Sequence, residues 1–336
     1  MDKRRNKKTM KHFATIIGTR PQLIKYDTKF KQTLIWTGQH YSTVLKDVFF
    51  KGLNIPTPDY TLNKTKLGEM IDGLIVILSK IKPDYVIVYG DCRSTLAGAV
   101  AANILNIPII HIEAGCRSFN QSMIEERIRV AVDKMSFMHF APSERNKEVL
   151  ELEGYTQVYT SGATQIDTMF STFPTKRPKD AYKYKVMTLH RDFNVNKKSL
   201  VDIFEGLKDG GKIELYIHPR TEKFLKKEKI VVPKNIKILK PLPYKQMINR
   251  VAFAEKVITD SGGLQVEAFI LRRPCITLRT DTEWIDTVYQ GWNRLVGTDK
   301  DKIALNINQT WYGKGESSIY GNANAKKIIR TYLENL

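Results

Sequence analysis

Short blocks of consecutive apolar residues, each closing on a glycine or a charge, recur along this chain. Phe13–Ile17, Leu34–Thr37, Tyr85–Tyr89, Ile109–Ile112, Met138–Ala141 and Val158–Ser161 form one series. Lys185–Thr188, Ile213–Ile217, Ile236–Leu239, Val257–Thr259 and Cys275–Leu278 form a second. Runs of four or five with little alternation fit parallel strands buried on both faces. Between them Leu67–Lys80, Leu96–Leu105, Ile128–Met135, Glu144–Leu152, Lys198–Leu207 and Ala323–Leu333 carry apolar residues at helical spacing. Further helices are expected around Val44–Lys51, into Val251 and after Asp260. Strand, helix, strand repeated in this way predicts an α/β chain built of parallel βαβ units. Phe173–Ala181 breaks the pattern with Pro174, Lys176, Pro178 and Lys179 and reads as a linker. Two domains are therefore expected, 1–172 and 173–336, with the C-terminal helix free to pack back on the first.

The charged residues at strand ends carry the chemistry. Asp91 and Glu113 follow neighbouring strands, on the edge where open α/β sheets bind ligands. Glu125 comes after a polar loop and is expected to fold back over that edge, with Arg129 one turn on. Gly18-Thr19-Arg20-Pro21 turns directly out of the first strand, and Pro21 suits a first helical turn. Arg20 and Lys25 would then lie at a helix start, a natural place for an anion. Asp260-Ser261-Gly262-Gly263 is a second strand-to-helix turn, where backbone N–H groups can approach a diphosphate. Ser261 adds a hydroxyl, and Glu267 on the following helix can accept hydrogen bonds from a ribose. A plain Gly-Gly turn would show the same spacing. His190-Arg191 also follows a strand and can contact a leaving phosphate or shuttle a proton. His139 reads as a satisfied core residue, and His218-Pro219-Arg220 as fold-supporting.

Bulk properties narrow the partners. With 336 residues, 42% apolar and 10% aromatic, the chain can build two sizeable cores. No apolar run reaches the length of a membrane span, so no membrane insertion and a cytoplasmic location are expected. Cys92, Cys116 and Cys275 are too scattered for a disulfide framework or a zinc site. The formal charge of +19 comes partly from Lys3, Arg4, Arg5, Lys7, Lys8 and Lys11, and partly from stretches such as Lys223–Lys229. The basic residues are dispersed and form no nucleic-acid-binding motif, which favours an anionic small substrate over nucleic acid. Gly-x-Gly-x-x-Gly, Walker and metal-ligand spacings are all missing, so neither a metal nor a cofactor is expected.

Gly18-Thr-Arg-Pro-Gln-Leu-Ile-Lys25, Thr37-Gly-Gln-His40, Gly90-Asp91, His111-Ile-Glu-Ala-Gly115, Glu125-Glu-Arg-Ile-Arg129, Leu189-His-Arg191 and Thr259-Asp-Ser-Gly-Gly263 occur in this order. In this the chain resembles the non-hydrolysing UDP-N-acetylglucosamine 2-epimerases over nearly its whole length. Thr188-Leu-His-Arg191, His218-Pro-Arg-Thr221, Arg117-Ser-Phe-Asn120 and Thr282-Glu-Trp284 look closer to the UDP-2,3-diacetamido-2,3-dideoxyglucuronate 2-epimerase branch. The resemblance implies a glycosyltransferase-B-like fold, two Rossmann-like domains facing across a cleft that holds the nucleotide sugar. It implies a homodimer, and Asp91, Glu113, Glu125 and His190 as catalytic residues. Substrate contacts would come from Arg20, Lys25, Gln39, His40, Arg129, Arg191, Met247, Ser261, Gly262, Gly263, Glu267 and Arg279, with Met247 near the uracil. The family's reaction eliminates UDP from C1 and re-adds it after C2 is reprotonated on its other face, serving surface polysaccharide synthesis. A hydrolysing epimerase and a glycosyltransferase of the same fold are the alternatives. The chain departs from the family in a shortened segment between Pro21 and Thr33 and in Cys92-Arg93 after Gly90-Asp91, and Trp284 stands where the UDP-N-acetylglucosamine branch usually has an arginine.

Overall fold

A computed structural model describes residues 11–39, 50, 52–172 and 177–336. His40, the basic cluster from Lys3 to Lys8, most of the helix expected over Val44–Lys51, and Pro174 and Lys176 lie outside the described residues. The chain forms two compact units. The first takes the described residues up to Cys116, then Gln121–Asp167 and Gly321–Leu336. The second takes Arg117–Asn120 and the described part of Thr168–Tyr320.

The first unit is a parallel sheet of seven strands: β1 (Phe13–Ile17), β2 (Thr33–Trp36), β3 (Tyr60–Thr61), β4 (Tyr85–Tyr89), β5 (Ile109–Ile112), β6 (Met138–Ala141) and β7 (Val158–Thr160). Their spatial order is β3-β2-β1-β4-β5-β6-β7. The apolar runs are buried on both faces, as the pattern requires: β1, β5 and β6 are buried at every position. On one face the Leu67–Ile81 helix buries Met70, Leu74, Ile77 and Leu78, one helical stripe. Beside it the Arg93–Ile104 helix buries Ala97, Gly98, Ala99, Ala101 and Ala102. These small residues let helix, sheet and neighbouring helix approach closely.

The second unit is a parallel sheet of six strands: β8 (Lys185–Thr188), β9 (Ile213–Tyr216), β10 (Ile236–Leu239), β11 (Val257–Thr259), β12 (Cys275–Thr277) and β13 (Asn293–Leu295). Its order is β10-β9-β8-β11-β12-β13. The two-sheet α/β architecture expected from the apolar pattern is present. Two strands escaped that reading. β3 has two residues and β13 has three, Asn-Arg-Leu, so neither carries an apolar run. The helices Thr164–Ser171, Pro219–Lys227 and Lys300–Asn308 were also unforeseen. The Pro219–Lys227 helix, with Lys223, Lys226 and Lys227 among its nine residues, buries only a thin stripe of Thr221 and Leu225.

Strand order fixes where ligands can bind. In the first sheet the order reverses between β1 and β4, the strands that lead into Gly18-Thr19-Arg20 and Gly90-Asp91. In the second it reverses between β8 and β11, which lead into His190 and Asp260. Such reversals open a crevice at the carboxyl ends of the strands.

Candidate active site

Glu113 stands one residue past β5 with φ +68°, a conformation few residues other than glycine adopt. Holding it there costs about 1–3 kcal/mol, which surrounding contacts must offset. Its N–H donates to the Phe140 carbonyl at 3.0 Å. Its carboxylate meets Lys25, with Nζ 2.7 Å from Oε1 and 2.6 Å from Oε2. Burial pushes the Glu113 carboxyl above the ordinary carboxylate range, the Lys25 charge opposing but not cancelling it. A buried acid so raised is poised to exchange a proton rather than hold a fixed charge.

Asp91, at the adjoining strand end, is paired with Arg129 Nη2. Arg129 Nη1 donates to Glu126 Oε2 at 2.8 Å. Arg129, expected on the substrate, stands between two carboxylates at 3% side-chain exposure. Lys25, expected near a diphosphate, is turned on Glu113. Glu125 was placed at the end of a loop. The helix in fact begins at Ile124, so Glu125 lies in its first turn, half-buried, while Glu126 beside it is fully buried.

The turn after β1 explains why Lys25 is held so firmly. Gln22 Oε1 accepts from the N–H groups of Gly18 at 2.8 Å and Thr19 at 3.1 Å. Gln22 Nε2 donates to the Tyr89 carbonyl at 3.1 Å, tying this turn to β4. A Cβ on Gly18 would lie 1.9 Å from Thr37 Oγ1, so only glycine fits. The Gly18 and Thr19 donors are thus used internally, and the cation this turn carries is the Arg20 side chain. Burial lowers the Arg20 pKa to about 10. Gln39 is likewise occupied: its Oε1 accepts from the Ser94 N–H at 2.8 Å and caps the Arg93–Ile104 helix.

In the second unit, Asp260 is fully buried at the end of β11 and organises the turn after β8. Its Oδ2 accepts from the N–H groups of His190 at 3.0 Å and Arg191 at 2.9 Å. Its Oδ1 lies 3.0 Å from His190 Nδ1. Burial raises the Asp260 pKa, but His190 and the backbone donors outweigh it and hold the carboxyl below its ordinary value. The imidazole is thus oriented by a carboxylate, with 36% of its side chain exposed. The sequence marked Asp260 only as part of a turn. Its pairing with a histidine seventy residues away left no local signal.

Ser261 precedes the Gly262–Ile270 helix, whose first turn presents backbone N–H groups. A Cβ on Gly262 would fall 2.3 Å from Glu283 Oε1. Glu283 in turn pairs with Arg279 Nη2 at 2.8 Å, and Asp281 pairs with the same nitrogen at 2.8 Å. Arg279, expected on the substrate, is buried in this acidic bracket. Glu267 accepts from the Tyr244 hydroxyl at 2.9 Å. Met247 is half-buried one turn along the Tyr244–Ala252 helix. The structure therefore brings Lys25, Glu113, Asp91 and Arg129 together in one unit, and His190, Arg191 and the Asp260–Gly263 turn in the other. Among the described residues no group of three or more His, Cys, Asp or Glu side chains could hold a metal ion. No helix among them is long and apolar enough to cross a membrane.

Residues 22–334 match the family model described as UDP-N-acetylglucosamine 2-epimerase. The chain is 39% identical to the UDP-N-acetylglucosamine 2-epimerase homolog of Methanococcus maripaludis, over 91% of this chain and 97% of that one. It is 35% identical to the UDP-2,3-diacetamido-2,3-dideoxy-D-glucuronate 2-epimerase of Pseudomonas aeruginosa, over 96% and 99%. Its structure is similar to that of Methanocaldococcus jannaschii UDP-GlcNAc 2-epimerase in complex with UDP-GlcNAc and UDP. The TM-score is 0.88 at 35% identity, covering 97% of this chain and all of that one.

Proposed function

The chain belongs to the UDP-N-acetylglucosamine 2-epimerase family, and we propose that it inverts C2 of a UDP-N-acetylhexosamine by eliminating and re-adding UDP. The observation that carries this reading is the Lys25–Glu113 pair beside Asp91. These are acids of unlike environment at adjoining strand ends, as a reaction that removes a proton on one face and returns one on the other requires.

The C2 proton of the sugar is weakly acidic. One carboxylate takes it while the C1–O bond to UDP breaks, leaving a 2-acetamidoglucal. A second acid then protonates C2 on the opposite face, and UDP re-adds at C1. Asp91, Glu113 and Glu125 supply these transfers. Lys25 opposes the rise that burial imposes on the Glu113 pKa, and Arg129 fixes the direction of Asp91. The N–H groups of Gly262 and Gly263 and the Ser261 hydroxyl hold the diphosphate as its charge grows. His190, aimed by Asp260, steadies the same leaving group, while Glu267 binds the ribose and Met247 lies by the uracil. Arg279 supports the turn through Glu283 instead of touching substrate.

Two sugars are compatible with the family, N-acetylglucosamine and its 2,3-diacetamido-glucuronate analogue. Relatives of both kinds stand at similar identity, 39% for the Methanococcus maripaludis homolog and 35% for the Pseudomonas aeruginosa enzyme. We further propose a cytoplasmic homodimer that supplies surface polysaccharide synthesis. Leu67, Arg93, Leu96, Ile124, Arg127 and Ile128 line an open depression of about 250 Å³ on the first unit, a mainly apolar surface that a second copy would cover. Replacing Asp91, Glu113 and Glu125 singly by the amide and following deuterium entry at C2 tests the assignment. Each substitution should slow exchange, and unimpaired exchange in all three would refute it.

A further inference from the structure

We infer that the buried His111–Asp133 pair holds one proton more than a neutral histidine beside an ionised aspartate, and that it acts as an uncharged strut positioning Asp91 and Glu113. The argument is one of donors and acceptors. His111 lies in β5, and Asp133 lies on the Ile124–Met135 helix; both side chains are fully buried. His111 Nε2 is 2.9 Å from the Gly90 carbonyl oxygen. A carbonyl oxygen only accepts, so Nε2 carries a hydrogen. In a neutral ring Nδ1 would then be a bare lone pair. Yet Nδ1 sits 2.6 Å from Asp133 Oδ1, a contact that needs a hydrogen between the two atoms. That hydrogen rides on either Nδ1 or Oδ1, and in both cases the net charge of the pair is zero. The alternative, a net negative charge with two lone pairs opposed, is ruled against by complete burial.

The strut joins the two turns that carry the acids. Gly90 immediately precedes Asp91. Asp133 Oδ2 accepts from the N–H of Gly115 at 3.2 Å, two residues past Glu113. The Gly115 carbonyl is held from its other side by Asn146 Nδ2 at 3.2 Å. The strained backbone at Glu113 is therefore clamped on either flank, by His111 before it and Gly115 after it. The titratable groups around the strut are themselves engaged: Lys25 with Glu113, Arg129 with Asp91 and Glu126, and His139, whose Nε2 donates to the Asp133 carbonyl at 2.9 Å. Burial lowers the His139 pKa from its ordinary value, so it competes less for the proton.

The catalytic consequence rests on Asp91 and Glu113 acting at C2; the protonation of the pair does not. Proton and nitrogen NMR of ¹⁵N-histidine-labelled protein reads the proton directly. A far-downfield, slowly exchanging proton coupled to this pair is expected in the wild type and absent from His111→Gln. A wild type without this proton, its ring protonated at Nε2 alone, overturns the inference. Kinetics tests the positioning role. In Asp133→Asn the amide donates to Nδ1, its oxygen still accepts from Gly115, and the net charge is unchanged, so kcat should stay within about threefold. His111→Gln breaks the strut and should lower kcat by about 10²-fold with little change in KM. Equal loss in both variants, or a loss confined to KM, contradicts positioning. Should the wild type show no epimerisation, the proposed function fails while the NMR arm still decides the proton.

Discussion

Lys25 Nζ lies 2.6 Å from Glu113 Oε2, with side-chain exposures of only 11% and 10%. The pair spans 88 residues of sequence and places an acid of raised pKa at the end of β5. Removing Lys25 leaves that acid buried without its partner, so Glu113 holds its proton to still higher pH. Lys25→Met should therefore move the acid limb of the kcat–pH profile upward and lower kcat at neutral pH by about 10²–10³-fold. A profile of unchanged shape would mean Glu113 is not the titrating group.

Asp260 aims His190, and Asp260→Asn keeps the size while removing the charge that fixes the imidazole. A loss of about 10²-fold in kcat is expected. The linkage follows from the lowered pKa of Asp260. Its stabilising contribution is present above the ordinary value of 3.8 and is lost as pH falls through the lower value of the folded state. Acid unfolding of the asparagine variant, monitored by circular dichroism, should lack this part of the slope. An identical acid transition in the two proteins would place the Asp260 charge outside the stability of the second unit.

Gly262 is the point of closest approach in the Gly-Gly turn. Gly262→Ala drives a methyl into the space of Glu283, which must then shift away from Arg279. The turn moves with it, and UDP should bind about tenfold more weakly by calorimetry while the far-ultraviolet spectrum stays unchanged. Gly263→Ala is the control, because a Cβ there meets nothing within 4 Å. Equal affinity for UDP in both variants would take the diphosphate away from this turn.

Lys326, on the C-terminal helix Ala325–Glu334, donates to the carbonyls of Tyr26 at 2.7 Å and Ile24 at 3.3 Å. It thereby ties that helix to the end of the short segment bearing Arg20 and Lys25. Burial lowers its pKa from 10.5 to about 8. Between those values the unfolded chain binds the extra proton, so this group's contribution to stability grows as pH rises from about 8 toward 10.5. The stability difference between wild type and Lys326→Met should shift in favour of the wild type over that range, by about 2 kcal/mol after discounting partial exposure. A difference independent of pH would show that Lys326 does not titrate in this way.

Much of the fold was legible because the apolar runs are nearly continuous. Buried parallel strands such as Phe13–Ile17 and Met138–Ala141 cannot be written otherwise. β3 and β13 were hidden because two or three residues at a sheet edge need no apolar pattern. The site was legible as positions but not as partnerships. Asp91, Glu113, His190 and the Gly-Gly turn stand at strand ends that local spacing reveals. What Lys25, Gln39, Arg129 and Arg279 touch depends on residues brought near by sheet order, up to 88 positions away. For that reason the protein partners of Lys25, Gln39, Arg129 and Arg279 were not foreseen, nor were those of Asp260, Glu126 and Gln22.

The most direct test follows the purified protein with UDP-N-acetylglucosamine in deuterium oxide by proton NMR, and then with the 2,3-diacetamido-glucuronate analogue. The account predicts UDP-linked product inverted at C2, with deuterium at C2 and no net release of free sugar. Free sugar with stoichiometric UDP would indicate a hydrolysing enzyme, and no exchange at C2 of either substrate would contradict the proposed function outright.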